Sequence, residues 1–239
     1  MQKLFISILL LSLCNFSIAE FKTAKMSDDA YSKTRSINKE FLIYEPKNFK
    51  SKEETPLLIF LHGMGKRGTN VSTLKGMAKY ITKHSEKHSV LTVLPQCLKN
   101  PKTGKGWWNS NDLNIFLEQV KKTYKIDENR IYLCGFSMGG FGTWAWAMDK
   151  PKTFAAIAPM AGGGDVKKVK VLKDLPIWAF HGKKDTTVKY EKTKVLIDAL
   201  KKVKSEKVEF TSYPDEGHGI VMDTLKNPKL YEWFFKQSL

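Results

Sequence analysis

Apolar residues along this chain fall into two alternating patterns. Residues 56–61, 90–94, 130–136, 154–158 and 177–180 are short, nearly unbroken apolar runs. Such runs are expected of parallel strands covered on both faces. Residues 40–46 and 208–213 are more mixed and read as further strands. Between the runs, apolar positions recur at helical spacing, as in Leu113, Phe116, Leu117, Val120 and Tyr124, or Val188, Val195, Leu196, Ala199, Leu200 and Val203. Helices are expected over residues 72–87, 112–124, 188–203 and 228–236, with one more following residue 137. Residues 20–40 are polar and read as an initial strand or ordered tail. The lysine-rich residues 47–54 read as a turn or hairpin tip, and residues 100–110 as a glycine-rich loop carrying Trp107 and Trp108. Strands alternating with helices predict an α/β fold: a mostly parallel central sheet with helices on both faces. No repeat or linker divides residues 20–239, which are expected to form a single domain.

The first residues depart from this pattern. A basic start at Lys3, an apolar run over residues 4–13, and the small residues Ser17 and Ala19 describe a secretory signal peptide over residues 1–19, cut after Ala19. The destination would be periplasmic or extracellular. Lipid anchoring at Cys14 is disfavoured by the bulky Leu13 before it. No other stretch is long and apolar enough to span a membrane. Cleavage would leave Cys97 and Cys134, each in or beside an apolar run and read as a buried free thiol.

Charge changes the picture less than its size implies. The net charge is +16, yet only Arg35, Arg67 and Arg130 among the 40 basic residues are arginines. The lysines are scattered, with no recognition motif, so specific nucleic-acid binding is not expected and a solvated lysine coat is.

Candidate chemistry gathers at the expected carboxyl ends of strands, where sites of such sheets lie. The run ending at Phe136 passes through Gly135-Phe136-Ser137-Met138-Gly139 into a helical pattern. That is a strand, a sharp turn and a helix with a serine at the apex, flanked by glycines that let the two backbones approach. A serine needs a base and an orienting acid. Of the five histidines, His218 lies on a glycine-flanked loop after the last strand and is the best base. His62 and His181 each precede a glycine at a strand end and are read as fixing loops, while His84 and His88 are read as surface residues of a lysine-rich helix. Asp185, just after His181-Gly182, is the best acid, ahead of Asp165 and Asp215. Backbone N–H groups of Met64 and Met138 are the candidate oxyanion donors. No metal-ligating set accompanies these residues. Gln96, Trp107 and Trp108 are candidate substrate contacts; the tryptophans either wall a cleft or anchor their loop to the core.

These stretches carry a resemblance. L-H-G-M-G at 61–65, G-W-W at 106–108, G-F-S-M-G-G-F-G-T-W at 135–144, H-G-K-K-D at 181–185 and Y-P-D-E-G-H at 213–218 occur in order. Together they resemble the α/β-hydrolase superfamily, and within it the secreted esterase or "predicted peptidase" group related to the phospholipase/carboxylesterase and dienelactone hydrolase families. The resemblance implies ester hydrolysis by Ser137, Asp185 and His218 without a cofactor. One departure is Gly219-Ile220-Val221-Met222 after His218, where relatives commonly carry a polar residue and then tryptophan, which bears on the acyl pocket. Only residues 162–175 separate two expected strands, too few for a folded cap. The expected site is therefore open and suited to bulky or polymer-attached esters rather than a deeply enclosed lipid, acetyl or feruloyl esters of carbohydrate among them. The readings are a secreted serine carboxylesterase, a serine peptidase of the same fold, or a catalytically silent binding protein.

Overall fold

The computed structural model describes residues 21–100, 102–103 and 106–239; the expected signal peptide, with Cys14, lies outside the described residues. In chain order the elements are β1 (Phe21–Lys25), α1 (Asp28–Ser32), β2 (Ile37–Tyr44), β3 (Thr55–Leu61), α2 (Lys75–Lys87), β4 (Leu91–Cys97), α3 (Ser110–Thr123) and β5 (Ile126–Phe136). They continue with α4 (Met138–Asp149), β6 (Ala156–Met160), β7 (Ile177–Gly182), α5 (Glu191–Lys202), β8 (Val208–Tyr213), α6 (Val221–Lys226) and α7 (Pro228–Phe234). Short 3-10 turns cover Met64–Lys66, Val71–Leu74 and Val169–Leu172.

The eight strands form one sheet in the order β1-β2-β4-β3-β5-β6-β7-β8. Every neighbouring pair from β4 to β8 is parallel, and only β1/β2 and β2/β4 are antiparallel. The expected hairpin tip at residues 47–54 is not one. β3 is enclosed by β4 and β5, so β2 pairs with β1 and β4 instead, and the segment is a crossover. No helix interrupts residues 161–176 between β6 and β7, which hold only one 3-10 turn.

The apolar runs behave as two-faced strands should. In β3, Leu57, Ile59 and Leu61 join the core under α3, α4 and α5, whereas Leu58 and Phe60 join the core under α2, α6 and α7. Trp144 and Trp146 fill the first core; Tyr132, Tyr231 and Phe234 fill the second. Cys97 and Cys134 are free and buried. The closing helix begins as its sequence requires, with Asn227 capping the Lys229 N–H at 3.0 Å and Pro228 at the first helical position. Among the described residues no helix is long and apolar enough to cross a membrane. Because β3, β5, β7 and β8 run parallel, the loops that follow them all leave one edge of the sheet.

Backbone approach at that edge gives a direct test. A Cβ on Gly139 would stand 1.9 Å from the Leu61 carbonyl oxygen, whereas one on Gly76, in the exposed first turn of α2, would meet nothing within 4 Å. Gly139→Ala is expected to cost about 3 kcal/mol or more in urea unfolding. Gly76→Ala is expected to stabilise by about 0.5–1 kcal/mol through helix propensity alone. Equal midpoints for the two variants would contradict this packing.

Candidate active site

Ser137 sits between the last residue of β5 and the first of α4 with φ 56° and ψ −118°. A side-chain-bearing residue in this left-handed region costs roughly 1–3 kcal/mol and persists only where its surroundings enforce it. Here the Ser137 N–H donates to the Met160 carbonyl at 2.9 Å, and its carbonyl accepts from the Phe141 N–H at 3.0 Å. The flanking glycines make the turn sterically feasible: a Cβ on Gly135 would lie 2.4 Å from the Gly139 carbonyl oxygen. The hydroxyl is thus pushed clear of the sheet edge.

His218 comes from the loop after β8. Its Nε2 is 2.9 Å from Ser137 Oγ and its Nδ1 is 2.7 Å from Asp185 Oδ2. Asp185, from the loop after β7, has a fully buried carboxylate, whose Oδ1 accepts the N–H groups of Thr187 at 2.9 Å and Val188 at 2.8 Å. Burial alone raises its pKa, but the hydrogen bonds from His218, Val188 and Thr187 outweigh that, and the group stays below the ordinary carboxylate range. An ionised Asp185 holds the proton of His218 on Nδ1, which leaves Nε2 to accept from the Ser137 hydroxyl.

The other histidines are structural. His62 is buried; its Nδ1–H donates to the Gly63 carbonyl at 2.7 Å and its Nε2 accepts the Cys97 N–H at 2.9 Å. Burial depresses its pKa to about 4, keeping the ring neutral. His181 lies behind the acid, with Nε2 2.8 Å from the Val188 carbonyl and 3.3 Å from Asp185 Oδ2, and Nδ1 2.7 Å from Thr193 Oγ1. His84 stacks on Tyr231 at 4.1 Å. Neither runner-up acid touches His218: Asp215 pairs with Lys184 at 2.8 Å, and Asp165 caps the Lys167 N–H at 2.9 Å. Among the described residues no group of three or more side chains is arranged to hold a metal ion.

Ser137 and His218 open into a cleft of about 610 Å³, which Met64 and Met138 also line. Met138 begins α4, so its N–H has no acceptor within the helix, and Met64 begins the 3-10 turn after β3. Trp107 is 48% exposed and stands edge-on to Phe141 at 5.8 Å, forming the cleft's apolar wall with Met64, Met77, Phe136 and Val188.

Two expected substrate contacts fall elsewhere. Gln96 is buried behind the Met64 loop, its amide donating to the carbonyls of Lys66 at 2.9 Å and Asn70 at 3.0 Å and accepting from Asn38 at 3.1 Å. With its hydrogen-bonding capacity spent internally it cannot face a ligand. Trp108 is buried too; its indole N–H donates to the His62 carbonyl at 3.1 Å, so it anchors the loop while its neighbour walls the cleft. Phe141, Val188 and Met77 escaped sequence reasoning. Phe141 was readable, since a residue four after the serine sits above it on the same helix face.

Residues 109–231 match the model of the phospholipase/carboxylesterase family. The chain belongs to that family. A bifunctional acetylxylan esterase/xylanase of Neocallimastix patriciarum is 27% identical to this family member over 173 residues, 67% of this chain and 23% of that protein. Carboxylesterase SOBER1 of Arabidopsis thaliana is 26% identical over 200 residues, 71% of this chain and 86% of that one. Among solved structures, a thermostable esterase superposes with a TM-score of 0.79 at 32% identity, covering 92% of this chain and 63% of that one. A ferulic acid esterase shares the fold at a TM-score of 0.71 and 16% identity, covering 91% of this chain and 98% of that one. The fold of this family member is that of the α/β-hydrolases.

The buried neutral groups of this phospholipase/carboxylesterase-family chain predict how its stability responds to pH. His62 has a folded pKa of about 4 against an ordinary 6.5, so between those values the unfolded chain binds the proton and the folded chain does not. Stability is therefore expected to fall, by about 3 kcal/mol from His62 alone, as pH drops from about 6.5 to 4. At the alkaline end burial raises Cys97 from 9.0 to about 12, so stability is expected to fall again above about pH 9. Urea unfolding across this range checks both limbs; a flat profile below pH 6.5 would contradict the first.

Proposed function

We propose that the protein is a secreted serine carboxylesterase working through an acyl-enzyme. The observation that carries this reading is the continuous relay from Ser137 Oγ to His218 at 2.9 Å and on to Asp185 at 2.7 Å, opening into an apolar cleft. Ser137 Oγ attacks the ester carbonyl while His218 Nε2 takes its proton; Asp185 orients the ring and stabilises the resulting imidazolium. The N–H groups of Met64 and Met138 hold the oxyanion, each typically contributing about 3 kcal/mol to the transition state. His218 then returns the proton to the departing alcohol, and water repeats the cycle on the acyl-serine. Every step uses groups of this chain and no cofactor.

For the substrate we propose acyl esters of carbohydrates, with aromatic acyl groups preferred to acetyl. Trp107, Phe141 and Phe136 give the cleft aryl-sized apolar surface, and the lack of a helix between β6 and β7 suits a polymer-attached alcohol. The similarity to a bifunctional acetylxylan esterase/xylanase supports a carbohydrate ester. Export rests on residues 1–19.

Hydrolysis of p-nitrophenyl acetate and of a p-nitrophenyl hydroxycinnamate tests the reading. Ser137→Ala is expected to lower kcat by about a millionfold and Asp185→Asn by about ten-thousandfold. Trp107→Ala is expected to raise KM about tenfold for the hydroxycinnamate and leave the acetate unchanged, a difference of about 1.4 kcal/mol. Wild-type rates no higher than those of Ser137→Ala on both esters would reject the esterase reading.

A further inference from the structure

Arg67 stands out first by composition: it is one of three arginines among 40 basic residues. Where a single positive charge suffices, this chain uses lysine. Arginine differs in offering a rigid planar fork of donors pointing in separate directions. Arg67 immediately follows the Met64–Lys66 turn, and its fork is divided between two loops. Nε donates to the Met64 carbonyl at 3.0 Å, and Nη1 donates to the Gly106 carbonyl, 39 residues away in sequence, at 3.2 Å. None of the ion pairs among the described residues includes Arg67.

Both accepting carbonyls are placed where they matter to the cleft. Met64 supplies one of the proposed oxyanion N–H groups, and Gly106 directly precedes Trp107, the exposed aromatic of the wall. Gly106 is tightly seated: a Cβ there would lie 2.1 Å from the Leu98 carbonyl oxygen and 3.5 Å from Arg67 Cδ. The bases of these loops have their own anchors. Gly68 N–H donates to the Cys97 carbonyl at 2.9 Å, Gln96 to the Lys66 carbonyl at 2.9 Å, and Trp108 to the His62 carbonyl at 3.1 Å. Trp108 joins the two loops at their bases; Arg67 joins them at their tips, tying the Met64 carbonyl to that of Gly106 beside Trp107.

We infer that Arg67 is a positioning residue that makes the oxyanion loop and the aromatic wall one mechanical unit, coupling recognition of an aryl acyl group to stabilisation of its oxyanion. The inference rests on the esterase reading for its catalytic consequence but not for the clamp itself. Lysine cannot replace it, because one ammonium on a flexible stem does not hold two carbonyls at the angles of a planar fork.

Arg67→Met and Arg67→Lys, compared with wild type, test this in two ways. Hydrogen–deuterium exchange needs no turnover: peptides spanning residues 62–69 and 105–109 are expected to gain exchange together in both variants, with β3 and β5 unchanged. In steady-state kinetics both variants are expected to lose about tenfold or more in kcat on acetate and hydroxycinnamate esters alike. KM is expected to rise only for the hydroxycinnamate, and that rise is expected to vanish when Arg67→Met is made on a Trp107→Ala background. Exchange confined to one loop, or full activity in Arg67→Lys, would overturn the coupling. An inert wild type with paired exchange would instead overturn the esterase reading and leave the clamp standing.

Discussion

The approach of α4 to the end of β3 is the constraint from which the site follows. Gly139 lies so near the Leu61 carbonyl that even a methyl group would overlap it. That contact sets how steeply α4 leaves the sheet, and the steepness forces Ser137 into its left-handed conformation. The strain is small beside the two cores that hold β3, β5 and α4 in register, so the fold absorbs it. Its result is a hydroxyl raised above the sheet edge with a helix N-terminus beginning at the next residue.

The polar groups behind the site share one logic: the buried side chains of His62, Gln96, Trp108, His181 and Asp185 are all hydrogen-bonded, which holds their loops in place. Three of the five histidines illustrate the division of labour. His62 and His181 are sealed under the loops that carry Met64 and Asp185 and stay neutral by burial, while His218, 24% exposed in its side chain, faces the cleft. A buried carboxylate such as Asp185 persists because four groups share its charge: the N–H groups of Thr187 and Val188, His218 and, more distantly, His181.

Much of this is legible in the amino-acid sequence. Strands buried on both faces leave unbroken apolar runs, so β3, β6 and β7 could be read directly, and their parallel order implied that the loops bearing Ser137, Asp185 and His218 meet at one edge. What escaped depended on pairings distant in sequence. Residues 47–54 looked like a hairpin tip because adjacent strands often pair, yet β3 already had two neighbours. Gln96 and Trp108 have the residue types of substrate contacts, and only the arrangement of the 62–70 loop shows their polar atoms consumed by Lys66, Asn70 and His62. Arg67 had only its rarity to mark it, since nothing local predicts a fork shared with Gly106. The short helix α6, within the connection of residues 214–227 before α7, lacked the length for a periodic signal.

The central claim is that Ser137 is made nucleophilic by His218. The most direct measurement is the rate at which phenylmethanesulfonyl fluoride modifies the protein, followed by peptide mass spectrometry, because it needs no knowledge of the natural ester. One adduct is expected, on Ser137, forming about a hundredfold faster in the wild type than in His218→Ala. An adduct elsewhere, or equal rates in the two proteins, would show that the short Ser137–His218 contact does not activate the serine.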